Sequence, residues 1–297
     1  QSEKYLSTLN AEVTHIELAF YGGSFTGIPP QQQIDYLSVA QGYLLSGRIH
    51  GIRLSTRPDY INEEVIKRLK YFGVGLVELG VQSLDEEVLV ASKRGYHEEV
   101  VAQSVQMLHS AGILVGIQLM IGLPKDTLEK VLTTVEKVIQ LQPVALRIYP
   151  TLVIQDTLLQ TLYEEGVYEP LDLETAVEWT AKMARRFYEE DIPIIRMGLQ
   201  PTEWITEGQS VIAGPFHPAF RQLVESRLLR DEIMSWLKQQ QKEHSDDKNF
   251  IVSCNRFTQS ILIGQKRKNI EFFQSLGYHM VVNNNEKLAK GKIELSI

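Results

Sequence analysis

The chain has 297 residues and a mass of 33.8 kDa, of which 43% are apolar and 23% charged. That suffices for one large or two ordinary domains and excludes wholesale disorder. No apolar run approaches the roughly 18 to 20 residues of a membrane span. Thirty Lys and Arg against 37 Asp and Glu give −7, so the chain is not basic throughout. The one cysteine, Cys254, excludes an internal disulfide and an all-cysteine metal site within this sequence. It points to a reducing, cytoplasmic compartment.

In chain order, no signal-peptide pattern follows Gln1, and a start at Gln-Ser-Glu-Lys suggests trimming. Strand-like apolar runs then occur at 15–21, 51–56, 75–81, 114–121, 144–149 and 193–199. Patterns of helical spacing lie between them at 32–45, 62–72, 98–111, 128–141 and 173–190. Asn62 and Asp126 mark helix starts, and Gly73 and Gly112 sit where a left-handed C-cap is expected. Strands alternating with helices of this length make right-handed βαβ units and a parallel sheet. Five consecutive units without a switch in order favour a barrel or partial barrel over an open sheet.

In such barrels the chemistry sits at the C-terminal ends of the strands. Those ends read Tyr21-Gly22-Gly23-Ser24, Ser55-Thr56-Arg57, Val81-Gln82-Ser83, Ile121-Gly122 and Tyr149-Pro150. Paired glycines let a charged ligand approach bare backbone N–H groups, although Gly-Gly also serves as a plain turn. No phosphate-loop, HExxH or GxSxG motif occurs.

The blocks FYGGSFTG, LSTRPDYI, VELGVQSLDEEVL, KRGYH, GIQLMIGLP and LRIYPTLVIQDT occur in this order over residues 13 to about 200. Together they resemble radical S-adenosylmethionine enzymes, in wording most similar to the radical domain of the Elongator catalytic subunit and its bacterial relatives. The resemblance implies an α/β partial TIM-like barrel over 1–200 that lacks its first strand. A helical extension at 201–237 and a basic α+β domain at 238–297 would follow. It implies S-adenosylmethionine as cofactor, with Gly22, Gly23 and Ser24 on the methionine amino group and Ser55 nearby. Relatives often carry acidic residues at the Ser24 and Ser55 positions, so charged contacts are lost here. Gln82 and Gln118 would face the ribose, and Arg94, with Lys93 beside it, the methionine carboxylate. Ile121 and Gly122 would read adenine, with Tyr149 flanking the ring. No catalytic residue beyond cofactor binding follows from these blocks.

The same resemblance implies a 4Fe-4S cluster held by a CxxxCxxC loop after the first strand, together with a reductant for it. This sequence has no such cysteines. The first visible strand matches the family's second, so the chain reads as a fragment whose cluster ligands are expected upstream of Gln1 and which is inactive alone. The implied activity of the whole is generation of a 5′-deoxyadenosyl radical acting on tRNA or other RNA. Two rival readings are a relative of oxygen-independent coproporphyrinogen dehydrogenase and a non-catalytic RNA-binding or scaffold protein. His217, between Pro215 and Pro218, reads as structural.

The charge divides unevenly. Residues 237–297 carry ten Lys and Arg against six Asp and Glu, leaving 20 against 31 in the rest. The run KQQQKEHSDDKN at 238–249 reads as a linker or solvated helix end. Beyond it, a strand at 249–254, a helix at 258–263, a second helix and strands near 279–283 and 292–296 resemble a KH-type RNA-binding module. There a GxxG loop clamps the nucleic-acid backbone. Here Gly264 is present and Arg267 replaces the second glycine, placing Lys266, Arg267 and Lys268 at the turn as candidate RNA contacts.

Overall fold

The computed structural model describes residues 14–199, 210–240 and 248–297. In chain order its first half holds β1 (Glu17–Phe20), α1 (Pro30–Leu45), β2 (Gly51–Thr56), α2 (Glu63–Tyr71), β3 (Val74–Gln82), α3 (Glu86–Ala91), α4 (Glu98–Ser110), β4 (Leu114–Ile121), α5 (Leu128–Gln140) and β5 (Ala145–Pro150). There follow β6 (Val153–Ile154), α6 (Leu158–Glu164), α7 (Leu173–Glu189), β7 (Ile194–Met197), β8 (Val211–Ala213) and α8 (Phe220–Gln240). The chain ends with β9 (Asn249–Cys254), α9 (Arg256–Ile263), α10 (Lys268–Ser275), β10 (His279–Asn284) and β11 (Glu294–Ser296). Packing divides it into two compact units. One joins the residues up to Thr151 with Arg186–Met197; the other joins Leu152–Arg185 with everything from Gly198.

The first unit is a curled parallel half-barrel sheet in the order β1-β2-β3-β4-β5-β7. Local signals set its segments. Asn62 caps α2 by accepting from Val65 N at 3.0 Å, and Gly73 follows that helix at φ 75°. Asp126, expected to start α5, yields that role to Thr127, which accepts from Lys130 N at 3.3 Å; Asp126 turns back toward β4. The short helix α3, capped by Asp85, was not legible as a separate element. Leu54, Val77, Leu79, Ile117, Leu119, Leu146 and Ile148 are buried on one face of the sheet. Helical positions spaced for one face are buried with them: Val101, Val105 and Leu108 on α4, Val131, Val135 and Val138 on α5. Among the described residues β1 has a strand neighbour on one side only, β2.

In the second unit β6 and β8 pair antiparallel. Strand β9 lies between a parallel β10 and an antiparallel β11. The core beside this small sheet draws Leu229, Ile233 and Leu237 from α8 to meet Phe250, Val252, Cys254, Leu262 and Phe273. Helix α8 runs past residue 238 into the polar run, and its apolar side chains belong to the core of the basic α+β part. The remainder of the run, 241–247, and the segment QPTEW lie outside the described residues.

Candidate functional site

Alternation along the sheet puts the buried apolar residues on one face and a polar set on the other. Register aligns Arg53 with Ala19, Ser55 with Glu78, Gly80 with Gln118, and Gln118 with Arg147. Side chains of partners in register share a face. The polar face therefore carries Arg53, Ser55, Glu78, Gln118, Arg147 and Tyr149, and it leads up to the C-terminal ends of the strands.

At the end of β1, Gly22 and Gly23 take φ 111° and 151°, values open to glycine and rarely to other residues. A Cβ on either would have no atom within 4 Å, so the turn presents bare backbone to open space. Ser55 Oγ donates to Gly23 O at 3.4 Å, which brings the β2 end to this turn. Ser24 holds the following 3-10 turn through its carbonyl, which accepts from Gly27 N at 2.9 Å, and its side chain makes no cap.

Strand β3 breaks register between Gly80 and Gln82, and Gln82 adopts φ 70° there. This bulge re-aims the side chain. Gln118 Nε2 donates to Gln82 Oε1 at 3.1 Å. Arg94 donates to Gly80 O at 2.7 Å and lies against Tyr96, whereas neighbouring Lys93 is exposed. Arg57, paired with Asp59 at 2.8 Å, bonds the Arg94 carbonyl from the other side. Gln82, Gln118 and Arg94 are thus gathered around Gly80, and Gly23 and Ser55 around the β1 end. Ile121 O is taken by Thr151, N–H and hydroxyl both, and Gly122 N by Asp126 Oδ2 at 3.0 Å. These two groups already have partners. Tyr149 receives a bond from Arg147 Nη1 at 3.3 Å.

A second constellation lies on the same face and was missed from the sequence. Glu78, 4% exposed, accepts from Tyr21 Oη at 2.6 Å, from Arg147 Nη2 at 3.2 Å and from Arg53 Nη2. Arg147 Nε lies 2.6 Å from Glu78 Oε2 as an ion contact off the N–H direction, so Nε of both arginines lacks a hydrogen-bond acceptor. Burial, then the Glu78 hydrogen bond, pushes the Tyr21 phenol up to about 12. The signal was present: one charge inside each apolar strand, two residues before Ser55, Gly80 or Tyr149. A buried charge in such a run requires a partner.

Asp126 gives a pH dependence. Burial raises its carboxyl to about 6, although N–H groups of Gly122, Thr127 and Leu123 favour the charged form. The folded state therefore keeps this proton to a higher pH than the unfolded chain, whose aspartates titrate near about 3.9. Its contribution to stability is greatest at low pH and declines as pH rises through that window. The stability difference between wild type and Asp126→Asn in urea is expected to fall by about 2 kcal/mol from pH 4 to pH 7. An unchanged difference across that range would refute the assignment.

In the second unit, the turn after α9 holds Gly264 at φ 75° and Lys266 and Arg267 at φ 52° and 63°. Arg267, at the position expected for the second glycine of a GxxG loop, adopts a left-handed backbone. Lys266, Arg267 and Lys268 are all exposed. His217 Nδ1 accepts from Ala219 N at 3.0 Å, a local bond at the approach to α8. Among the described residues no group of three His, Cys, Asp or Glu could hold a metal ion, and no helix is long and apolar enough to cross a membrane. Cys254 is buried, and burial pushes its thiol up. A 4Fe-4S cluster takes three thiolates in this chemistry; with one cysteine, these residues do not fit it.

Comparison with known families matches residues 8–138 to the radical SAM superfamily and 143–230 to the radical SAM C-terminal domain. The chain belongs to the radical SAM superfamily. It is 35% identical over 128 residues to a tRNA uridine(34) acetyltransferase of Methanocaldococcus infernus, covering 42% of this chain and 24% of that protein. It is 28% identical over 202 residues to Elongator complex protein 3 of Mus musculus, covering 60% and 36%. The chain thus spans a quarter to about a third of the length of these relatives. The structure of the archaeal Methanocaldococcus infernus Elp3 with an N-terminal deletion shares the fold, with TM-score 0.64 and 24% identity, over 73% of this chain and 55% of that one.

Proposed function

We propose that this chain is the S-adenosylmethionine-binding part of a radical enzyme acting on tRNA. The observation that carries the reading is the Gln82–Gln118 pair at the β3 bulge, with an open Gly22–Gly23 turn after β1 of the same sheet, within the segment matched to the superfamily. S-adenosylmethionine supplies, on reductive cleavage, a 5′-deoxyadenosyl radical. This chain's residues bind and orient it. The Gly22–Gly23 backbone takes the methionine amino group, with Ser24 and Ser55 fixing the turn. Arg94, which has no carboxylate partner among the described residues, takes the methionine carboxylate, and the two glutamines take the ribose. Adenine lies along Ile121–Gly122 toward Tyr149 through groups other than the two already bonded. Cluster thiolates have to come from residues other than these.

A tRNA substrate is supported by the names of the relatives, and phosphate contacts by the exposed Lys266–Lys268 turn. The test measures binding of S-adenosylmethionine and of unmodified tRNA to the same chain. Replacing Lys266, Arg267 and Lys268 together by Ala is expected to weaken tRNA binding at least tenfold and lower its salt slope by about 2 to 3. Cofactor affinity should not move. Absence of S-adenosylmethionine binding would overturn the radical reading, and an unchanged salt slope the role of the turn.

A further inference from the structure

The second unit encloses a cavity of about 320 Å³ that the cofactor site does not use. Three elements converge on it: α7 through Leu173 and Val177, α8 through Leu223, Arg227 and Arg230, and the basic turn through Gln265, Lys268 and Asn269. Their spacing on α8, at i, i+4 and i+7, puts those side chains on one helix face. The lining is mostly apolar with a charged rim, and 300 Å³ and above is the range of small-molecule sites.

The polar groups around it fall into two sets. Those already partnered include Arg227, bonded to Asp231 at 2.9 Å, and Asp172, which spends both oxygens on Thr175. Those without a hydrogen-bond or ion partner among the described residues are Arg230, Lys268, the Gln265 amide and Glu174. Arg230 lies with its guanidinium carbon 4.5 Å from the Phe272 ring centre, and its Nε is buried without an acceptor. Burial and then the Arg227 charge depress its pKa against the pull of Asp231, Glu174 and Glu178, none of which bonds its guanidinium. Asn269, 3% exposed, donates from Nδ2 to Ser226 and to Leu262 O, which fixes its orientation; its Oδ1 accepts from no described residue. An amide oxygen in that state can accept from a ligand N–H.

We propose that this cavity binds one nucleotide of a single-stranded RNA, its phosphate between Arg230 and Lys268 and its base against Leu173, Val177 and Leu223. The unpaired cations match a phosphate, and the apolar wall matches the faces of a base. The unpaired acceptors, Asn269 Oδ1 and Glu174, match the N–H donors of a base edge, which inorganic phosphate lacks. The cavity adjoins the turn whose exposed Lys266 and Arg267 meet the backbone of the same strand, so a nucleotide seated in it continues that contact. This deepens the tRNA reading and rests on it for the source of the nucleotide.

The test titrates the full chain with the four ribonucleoside 5′-monophosphates, with inorganic phosphate and with a short single-stranded RNA. At least one monophosphate should bind ten times or more tighter than inorganic phosphate. Arg230→Met, which keeps the length of the side chain, and Leu223→Trp, which fills the cavity, should each weaken that nucleotide and the RNA at least tenfold. Lys266→Ala with Arg267→Ala should weaken RNA alone. Phosphate binding as tightly as every monophosphate would overturn the base assignment. Arg230→Met with unchanged nucleotide affinity would overturn the site even if Leu223→Trp does not fold. RNA binding lost only in the turn variant would remove the cavity and leave the tRNA reading standing. Nucleotide binding without RNA binding would keep the cavity and remove RNA as its source.

Discussion

Glu78→Leu is expected to lower stability by about 3 to 5 kcal/mol, read as a shift in the urea midpoint. The carboxylate is the counter-charge of two guanidinium groups whose side chains are only 16% and 15% exposed. Removing it leaves Arg147 desolvated with no carboxylate and Arg53 with only the partly exposed Glu17, 2.9 Å from its Nη1, while Nε of each already lacks an acceptor. The cost is that of stranded charge and not of the lost attraction, because a buried pair contributes little net stability when both members are present. A variant in which Arg53 and Arg147 also become Met should therefore recover most of the loss. Tyr21 supplies a local readout. Its phenol is pushed up first by burial and next by Glu78, while Arg147 and Arg53 pull it down. In Glu78→Leu the phenol titrates at lower pH than in wild type. A stability loss under about 1 kcal/mol, or no recovery in the triple variant, would show that water replaces the carboxylate and that these charges are not mutually dependent.

The same cluster explains what could and could not be read from the sequence. The parallel sheet was legible because apolar runs of six to eight residues alternate with amphipathic segments whose ends carry Asn62, Gly73 and Gly112. Period and punctuation are local properties, and they set both the strands and their order. The glycines at 22 and 23 and Gln82 were legible because they interrupt apolar strands at one end of a sheet, whereas Gln118, inside its apolar run, came forward only through the resemblance. Glu78, Arg53 and Arg147 were not, because each sits alone in its own strand. Only the register of four strands brings them within bonding distance, and register is a tertiary property. Asp126 shows the limit in a smaller case: a carboxylate before a helix reads as a cap, yet here the hydroxyl next to it takes the cap and the carboxylate holds Gly122. The placement of α8 was hidden for a different reason. Its polar C-terminal end resembles a linker, while Leu229, Ile233 and Leu237 on its inner face belong to the core with β9.

Gly23→Val is expected to abolish measurable S-adenosylmethionine binding while leaving a folded protein. The backbone at this position has φ 151°, and a β-branched residue there is strained by about 1 to 3 kcal/mol. That strain reduces stability without unfolding a domain of ordinary stability. A clash inside the protein adds nothing to it, since a Cβ built on Gly23 meets no atom within 4 Å. On the proposed binding mode the methionine amino group reaches the carbonyls of the turn through this open space, which the valine methyl groups would occupy. Gly23→Ala, with less bulk and similar backbone strain, should weaken binding about tenfold and lower stability nearly as much as valine does. The two variants thus separate strain from occupation: stability falls alike in both, and affinity falls in proportion to side-chain volume. Ser55→Ala, which removes the 3.4 Å bond to Gly23 O, should reduce affinity only a few fold, since the bond is long and exposed. Gly23→Val that binds the cofactor with wild-type affinity, by equilibrium dialysis of the folded variant, would show that the methionine is held elsewhere on the strand ends.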